Sequence, residues 1–347
     1  MSNKTLSELA NIHNACDDYD PNSMPVEQAR AYIQSFLSPV KETEKISLMS
    51  SLGRVLAEAI IAPHNVPNHD NSAMDGYGFN AQDLATEGAS KFKVTGSVFA
   101  GNALVGEVQR GACIKIMTGA AIPAGVDTVI PQERVKIEGD LIEITEPIKQ
   151  GANVRYAGED LAQGQIVLPI GHMIKPADLG LIASLGVGEV SVYRKLRVSF
   201  FSTGDELASI GSALKQGQVY DSNRAMLNVL LAQAQCDVLD LGVIADSPQS
   251  LHQAFEHAQT AADVVMCTGG VSVGEEDHVR PVIEQRGGLH FHGVAMKPGK
   301  PFAFGYLGAE PASSTPLMAL PGNPVASLVG WQLLALPFIH AMQGRSV

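Results

Sequence analysis

The sequence predicts a multidomain chain of α/β and β character. It has a mostly parallel, three-layer α/β/α domain in its C-terminal half, a β-rich lobe before it, and an N-terminal segment toward which the chain later returns. Three observations predict this. From Arg197 onward strands and helices alternate, the rhythm of a parallel sheet covered on both faces. Residues 73 to about 155 instead carry short alternating runs (92–94, 113–117, 127–130 and 141–144) separated by glycines, as a small all-β domain does. The length of 347 residues fits two or three domains.

Composition narrows the class. Hydrophobic residues make up 45% and charged residues 17%, enough apolar material for more than one core. Lys and Arg total 24 against 36 Asp and Glu, a formal charge of −12, which argues against a nucleic-acid or membrane-surface partner. The four cysteines, Cys16, Cys113, Cys236 and Cys267, are far apart and form no Cys-x-x-Cys pair, so they read as thiols of a reducing compartment. Residues 1–24 hold no apolar core of signal-peptide length, and no uninterrupted apolar run is long enough to span a membrane. The expected location is cytoplasmic.

Taken in order, residues 1–24 are polar and expected to be loose. A first segment, 25–72, starts with a helix whose apolar side chains Val26, Ala29, Tyr32, Ile33, Phe36 and Leu37 share one face. A strand and a short helix around 52–58 follow, then a loop of Pro, Asn and His over 63–72. The β-rich lobe spans 73–155. Residues 156–194, rich in glycine between short apolar runs, return toward the N-terminal segment. The α/β domain covers 195–344. Its expected strands are 198–201, 238–243, 264–267, 290–294, 302–304 and 317–320. Its expected helices are 222–235 (capped by Asp221 or Ser222), one opened by Asp246-Ser247-Pro248, 277–285, and a last one opened by Asn323-Pro324 and containing Trp331.

Four loops of this domain follow strands and mostly precede helices, so they belong at the sheet's C-terminal edge, where such folds bind ligands. They are Ser202-Thr203-Gly204-Asp205-Glu206, Ala245-Asp246-Ser247-Pro248, the glycine-rich run 268–274 with Asp277 after it, and Leu320-Pro321-Gly322-Asn323-Pro324. Helix N-termini converging there favour an anion. Each loop alone reads first as an ordinary capping turn, and it is the four together that point to a site. Glu206, Asp246 and Asp277 beside an anion call for a cation, and Mg²⁺ held by carboxylates and phosphate oxygens meets that need. Lys297 and Lys300 lie on the turn Met296-Lys297-Pro298-Gly299-Lys300-Pro301. It is not a Walker loop, since proline follows Gly299-Lys300, yet two ammonium groups there suit an oxyanion. In the β-rich segment, Asp75 and Thr118 each sit at the end of a short run and say little individually. His290 and His292 have strand spacing but no third ligand nearby, so a metal role is a minor reading.

Seven strings carry a resemblance: SAMDGY (72–77), IKIMTGAAIP (114–123), FSTGDEL (201–207), YDSN (220–223), TGGVSVGEED (268–277), MKPGKPFAFG (296–305) and LPGNPVAS (320–327). Together and in this order they resemble the molybdopterin molybdenumtransferase family, the MoeA proteins and the E domain of gephyrin, over roughly residues 25–344. The resemblance implies a split N-terminal linker domain (25–72 and 156–194), a β-rich lobe and a molybdopterin-binding α/β domain. It implies an enzyme that inserts molybdate into adenylylated molybdopterin and releases AMP with Mg²⁺. It also implies a homodimer with its active site shared between subunits, and it admits molybdopterin adenylyltransferase and molybdoenzyme-maturation proteins as partners. By motif, the catalytic residues are Asp75, Thr118, Glu206, Asp246, Asp277 and Lys297, with Asp246 and Asp277 on the metal. Substrate-binding positions are Thr203, Gly204, Asp221, Ser222, Asn223, Gly269, Gly270, Ser272, Gly274, Lys300, Pro301, Gly322, Asn323 and Pro324. Two features depart from the family's pattern. Gly293 stands where many members carry Lys or Arg, and the family's C-terminal β-barrel, which supplies residues near the molybdate, is expected to be absent. These favour the alternative of a non-catalytic molybdopterin-binding scaffold. A second alternative is molybdopterin adenylyltransferase, whose family shares the α/β fold.

Overall fold

The computed structural model describes residues 23–36, 38–102, 106–270, 278–310 and 314–345. By compactness they form two units. One comprises residues up to Glu58, Ile170–Leu179 and Glu189 onward; the other comprises Ala59–Pro169 and Gly180–Gly188.

The first unit is built on a six-stranded sheet. Its order is Asp237–Ile244, Arg197–Thr203, Val264–Thr268, Thr315–Leu320, Ala303–Leu307, Gly287–His292. The first four strands are mutually parallel, and Ala303–Leu307 runs antiparallel to both of its neighbours. Alternate side chains point to opposite faces of a strand, so each strand feeds two cores. Val198, Phe200, Val264, Met266, Met318 and Leu320 join one core with Leu227 and Leu231 of helix Ser222–Gln233 and Ala29 and Ile33 of helix Val26–Gln34. Phe201, Val265, Cys267, Leu317 and Ala319 join the other. There Leu251, Phe255 and Ala258 of helix Pro248–Ala261 and Val279, Val282 and Ile283 of helix Val279–Arg286 cover them. Each large apolar side chain buried this way contributes about 1.5–3 kcal/mol.

The last helical stretch, Pro324–Met342, has a mean hydropathy of 1.5 and is long and apolar enough by composition to cross a membrane. The run is not uninterrupted, since Ser327, Gln332 and His340 lie within it, in line with the sequence reading. Half of it is buried, with Trp331, Leu334, Ala335, Phe338, Ile339 and Met342 in the first core, as in a core helix. It widens to a π turn at Trp331–Ala335. Pro337 follows directly and has no N–H to give to a carbonyl one turn back, the usual cause of such irregularity.

The expected helix at 52–58 is not formed. A 3₁₀ turn, Leu48–Ser50, follows strand Thr43–Ser47, and the chain then runs extended. Val55 bridges Met173 and Leu56 bridges Val192. The Leu56 and Ala57 amides donate to the His172 and Ser191 carbonyls, both at 3.0 Å. Gly53 at φ 77° sits outside helical space, and burial of Val55 and Leu56 against distant strands outweighs local propensity.

The second unit holds another six-stranded sheet. Its order is Thr128–Pro131, Gly76–Phe79, Ala112–Ile116, Ser90–Val98, Leu141–Ile144, Lys136–Glu138. All pairs are antiparallel except Ser90–Val98 with Ala112–Ile116. Again the faces separate: Ala112, Ile114 and Ile116 enter one core, and Cys113, Phe79, Phe92 and Ile142 the other. Gly76 is obligatory, since a Cβ there would lie 2.0 Å from the Ile130 carbonyl oxygen. Strand Ile60–Ile61 pairs with Ile166–Leu168, and Asn71–Ser72 pairs with Val154–Arg155. These two ladders draw residues before 73 and after 155 into the same compact unit.

Candidate active site

In the α/β unit the chain leaves Arg197–Thr203 for the strand on one side, then crosses back to Val264–Thr268 on the other. That reversal is a topological switch point, and it opens a crevice at the C-terminal ends of the two strands. The loops after Thr203 and Thr268 flank it. Strand Gly287–His292 shares the direction of the parallel strands, because it is antiparallel to Ala303–Leu307. The lysine turn therefore leaves from the same edge as the loops after Thr203, Ile244, Thr268 and Leu320.

Backbone constraints shape this edge. Gly269 has φ 87°, and a Cβ would sit 2.2 Å from the Thr203 carbonyl oxygen; its amide donates to the Leu320 carbonyl at 3.2 Å. Gly270 has φ 61°, with its would-be Cβ 2.5 Å from Val279 Cγ2. Only glycine lets the loops after Thr203 and Thr268 approach so closely. Asn223, on the first turn of its helix and buried, locks the loops from below. Its Nδ2 donates to Thr268 Oγ1 at 2.9 Å and to the Gly322 carbonyl at 2.8 Å, and Thr268 Oγ1 donates to the Pro321 carbonyl at 3.1 Å. Asn323 Oδ1 accepts the amides of Val325 and Ala326, and Asp221 Oδ1 accepts that of Arg224. Asp221, Asn223 and Asn323 thus fix helix starts and loops, while Ser222 stays exposed. Buried beside them, Thr203 Oγ1 and Asn223 Oδ1 have no hydrogen-bond partner among the described residues.

The acids gather on the neighbouring loops. The Glu206 carboxylate folds over Gly204, where a Cβ would meet Oε2 at 2.6 Å. The Asp246 amide donates to Asp205 Oδ1 at 3.3 Å, tying the loop after Thr203 to the one after Ile244. Ser247, not Asp246, caps helix Pro248–Ala261 by accepting the Ser250 amide. The Asp246 carboxylate is not the cap that its position before Pro248 suggested. Asp205 went unnoticed in the sequence reading, although it lies in the same string as Glu206. Asp277, Ser272 and Gly274 lie outside the described residues. Among the described residues no group of three or more His, Cys, Asp or Glu forms a metal cage.

Lys297 and Lys300 are exposed on an excursion pinned at its base. Val294 and Phe302 amides both donate to the Lys300 carbonyl at 2.9 Å, and Pro301 follows in the turn. Gly293 begins it at φ 92°, with only Ser23 Oγ, at 3.8 Å, near its would-be Cβ. A side chain there would have room but an unfavourable backbone. His290 is no ligand in this arrangement. Its ring stacks on Phe36 at 4.0 Å and neighbours Tyr32, Phe304 and Tyr306, and burial lowers its pKa.

The β-rich unit carries the second candidate group. Asp75 and Thr118 are 43 residues apart, yet Asp75 Oδ1 accepts both the Thr118 amide at 2.7 Å and its hydroxyl at 2.6 Å. The pairing Gly76↔Ile116 puts both at one sheet edge. The hydroxyl and amide bonds favour the charged form and hold the Asp75 carboxyl below the usual range. The result is an ionised, fixed, partly exposed carboxylate.

Comparison with known proteins agrees with these motifs. Residues 24–186 match the MoeA N-terminal region (domains I and II), and residues 199–341 match a probable molybdopterin binding domain. The chain is 43% identical to a molybdopterin molybdenumtransferase of Haemophilus influenzae over 93% of its own length and 78% of that protein's. To a molybdopterin molybdenumtransferase of a Nostoc species it is 34% identical, covering 89% and 71%. A crystal structure of a molybdopterin biosynthesis MoeA protein from Pyrococcus horikoshii superposes with a TM-score of 0.80 at 31% identity, covering 93% of this chain and 80% of that one. With its two matched regions spanning most of the sequence, the chain belongs to the molybdopterin molybdenumtransferase (MoeA) family.

Proposed function

We propose that this protein is a molybdopterin molybdenumtransferase of molybdenum cofactor biosynthesis: it takes adenylylated molybdopterin and molybdate, inserts the metal at the dithiolene and releases AMP. The observation that carries this reading is the switch-point edge, where Gly269, Gly270 and Asn223 hold the loops after Thr203, Thr268 and Leu320 together in a chain 43% identical to a named transferase. A sheet with a core on each face suits a three-layer molybdopterin-binding domain, and the other unit is its β-rich companion. The protein acts as a homodimer in this proposal.

The roles follow from charge and geometry. The positive dipole end of the Asn323-capped helix lies at the edge that takes the phosphates. Lys297 and Lys300 attract molybdate, a tetrahedral dianion. Asp246, with Asp277, would hold Mg²⁺, which usually takes one or two carboxylates and otherwise relies on substrate phosphates; a dedicated cage is not required. Mg²⁺ supplies neutralisation of the charge that develops as the phosphoanhydride breaks. Glu206 orients water beside it, and the ionised Asp75 acts through its fixed lone pairs rather than as an acid.

The test is AMP release from adenylylated molybdopterin with Mg²⁺, with and without molybdate. Molybdate-dependent release is expected. Tight binding without release would support instead the scaffold reading, which Gly293 and its φ of 92° favour.

A further inference from the structure

The edge of the β-rich sheet that carries Asp75 and Thr118 also presents an exposed aromatic ring. Three neighbouring strands end there. Gly76 starts one strand opposite Ile116, the last residue of the second, and Val98, the last residue of the third, also pairs with Ile116. The residues just beyond those ends, Asp75, Met117-Thr118 and Phe99, therefore form a row across two strand spacings, roughly 10 Å. The row is held firmly: the Met117 amide donates to the Val98 carbonyl at 3.1 Å, and a Cβ on Gly119 would lie 3.8 Å from Ala100 Cβ. Val98 is 2% exposed and closes a core, whereas Phe99 beside it is 53% exposed and Met74, next to Asp75, is 46% exposed.

A single exposed phenyl ring is ordinary. One fixed at the end of a short row of polar groups is a different object. Asp75 Oδ1 is occupied by Thr118, while Oδ2 carries no hydrogen bond among the described residues. The edge thus offers an exposed aromatic ring and, two strands along the row, a charged acceptor for N–H groups. That pattern fits a planar nitrogen heterocycle: its face lies on the ring, and its amino or ring N–H edge turns to the carboxylate.

We propose that Phe99 is the stacking platform for the planar heterocycle of the substrate, with Asp75 Oδ2 accepting from that heterocycle's N–H edge. The proposal rests on the transferase reading of the Asp75–Thr118 pair. It adds a residue that positions the ring and leaves the reacting atoms to other groups. Two heterocycles of the substrate share this chemistry, the pterin and the adenine, and the experiment separates them.

The full chain has one tryptophan, Trp331, which is 1% exposed, so the quenching seen in Phe99→Trp beyond that of wild type reports on this edge. Titration with 6-hydroxymethylpterin and, separately, with AMP should quench that indole saturably for one of the two. Phe99→Ala should weaken binding of the same probe about tenfold, as loss of a stacking partner does, while Phe99→Tyr keeps it. With the natural substrate, Phe99→Ala should raise KM by a similar factor and leave kcat within about twofold. Quenching by neither probe, or wild-type affinity in Phe99→Ala, would overturn the proposal. So would quenching that follows protein concentration instead of probe, because a second copy would then cover the ring. Wild-type protein that releases no AMP, with probe-dependent quenching still seen in Phe99→Trp, would refute the transferase reading and leave the platform standing.

Discussion

The two sheet edges that carry the candidate residues are organised in opposite ways. At the α/β edge the constraints lie in the backbone. Two glycines sit where a Cβ would strike a carbonyl or a valine, and a buried amide bonds three loop atoms. At the β-rich edge the constraint is one carboxylate–threonine pair, with exposed side chains around it. The first edge is a rigid cradle with few side chains to spare. The second is a small set of side chains on a firm sheet. An edge of the first kind fits holding a large polyanion, and one of the second kind fixes a single ionised carboxylate.

The contrast can be broken most severely at Gly269. Gly269→Ala places a methyl 2.2 Å from the Thr203 carbonyl oxygen at φ 87°, so the loops must part. A loss on the order of 3 kcal/mol is expected, together with loss of substrate binding. Denaturant unfolding and a binding titration would show it; unchanged stability would mean that the loop relaxes freely and the cradle is not rigid. Asn223→Ala comes next, removing bonds to Thr268, Pro321 and Gly322 at a cost of about 2 kcal/mol. Affinity for adenylylated molybdopterin should fall more than tenfold, and an unaltered Kd would deny the lock.

Thr118→Ala sharpens the other side. Asp75 is held below the usual carboxylate range first by the Thr118 hydroxyl and then by its amide. A group with a depressed pKa stays ionised as pH falls until that lowered pKa is reached, so activity that needs the Asp75 anion should persist into mildly acid solution. Removing the hydroxyl removes the larger cause, and the acid limb of the pH–rate profile should move upward while the amide bond remains. A profile that does not move would take Asp75 out of the rate. The smallest effect belongs to the thiols. Burial pushes Cys113 and Cys236 up to about 12, so neither should react with alkylating reagents in the folded protein at neutral pH. Rapid labelling of either would contradict the packed cores.

How much of this was legible beforehand depends on where the determining contact lies. The α/β unit was readable because its signals are local: apolar strands end in glycine loops, and Pro248 and Pro324 open helices. The helix expected at 52–58 failed because Val55 and Leu56 are fixed by strands more than a hundred residues away. The segment Asp246-Ser247-Pro248 was expected to open a helix, and which of its residues caps it, Ser247, only geometry decides. Asp75 and Thr118 looked uninformative singly, since their pairing is made by sheet register. Phe99 carried no sequence signal, because nothing local distinguishes a strand end that closes a core from one that opens to solvent.

In the proposed reaction the α/β edge takes the substrate's phosphates and turnover depends on the Asp75 carboxylate. The most direct measurement is a parallel determination, on Asp75→Asn, of Kd for adenylylated molybdopterin and of the rate of molybdate-dependent AMP release. The account predicts a Kd weakened by no more than about tenfold, the loss of one accepted hydrogen bond, and a rate reduced by about a hundredfold or more. A full rate, or a Kd weakened as much as the rate, would contradict it.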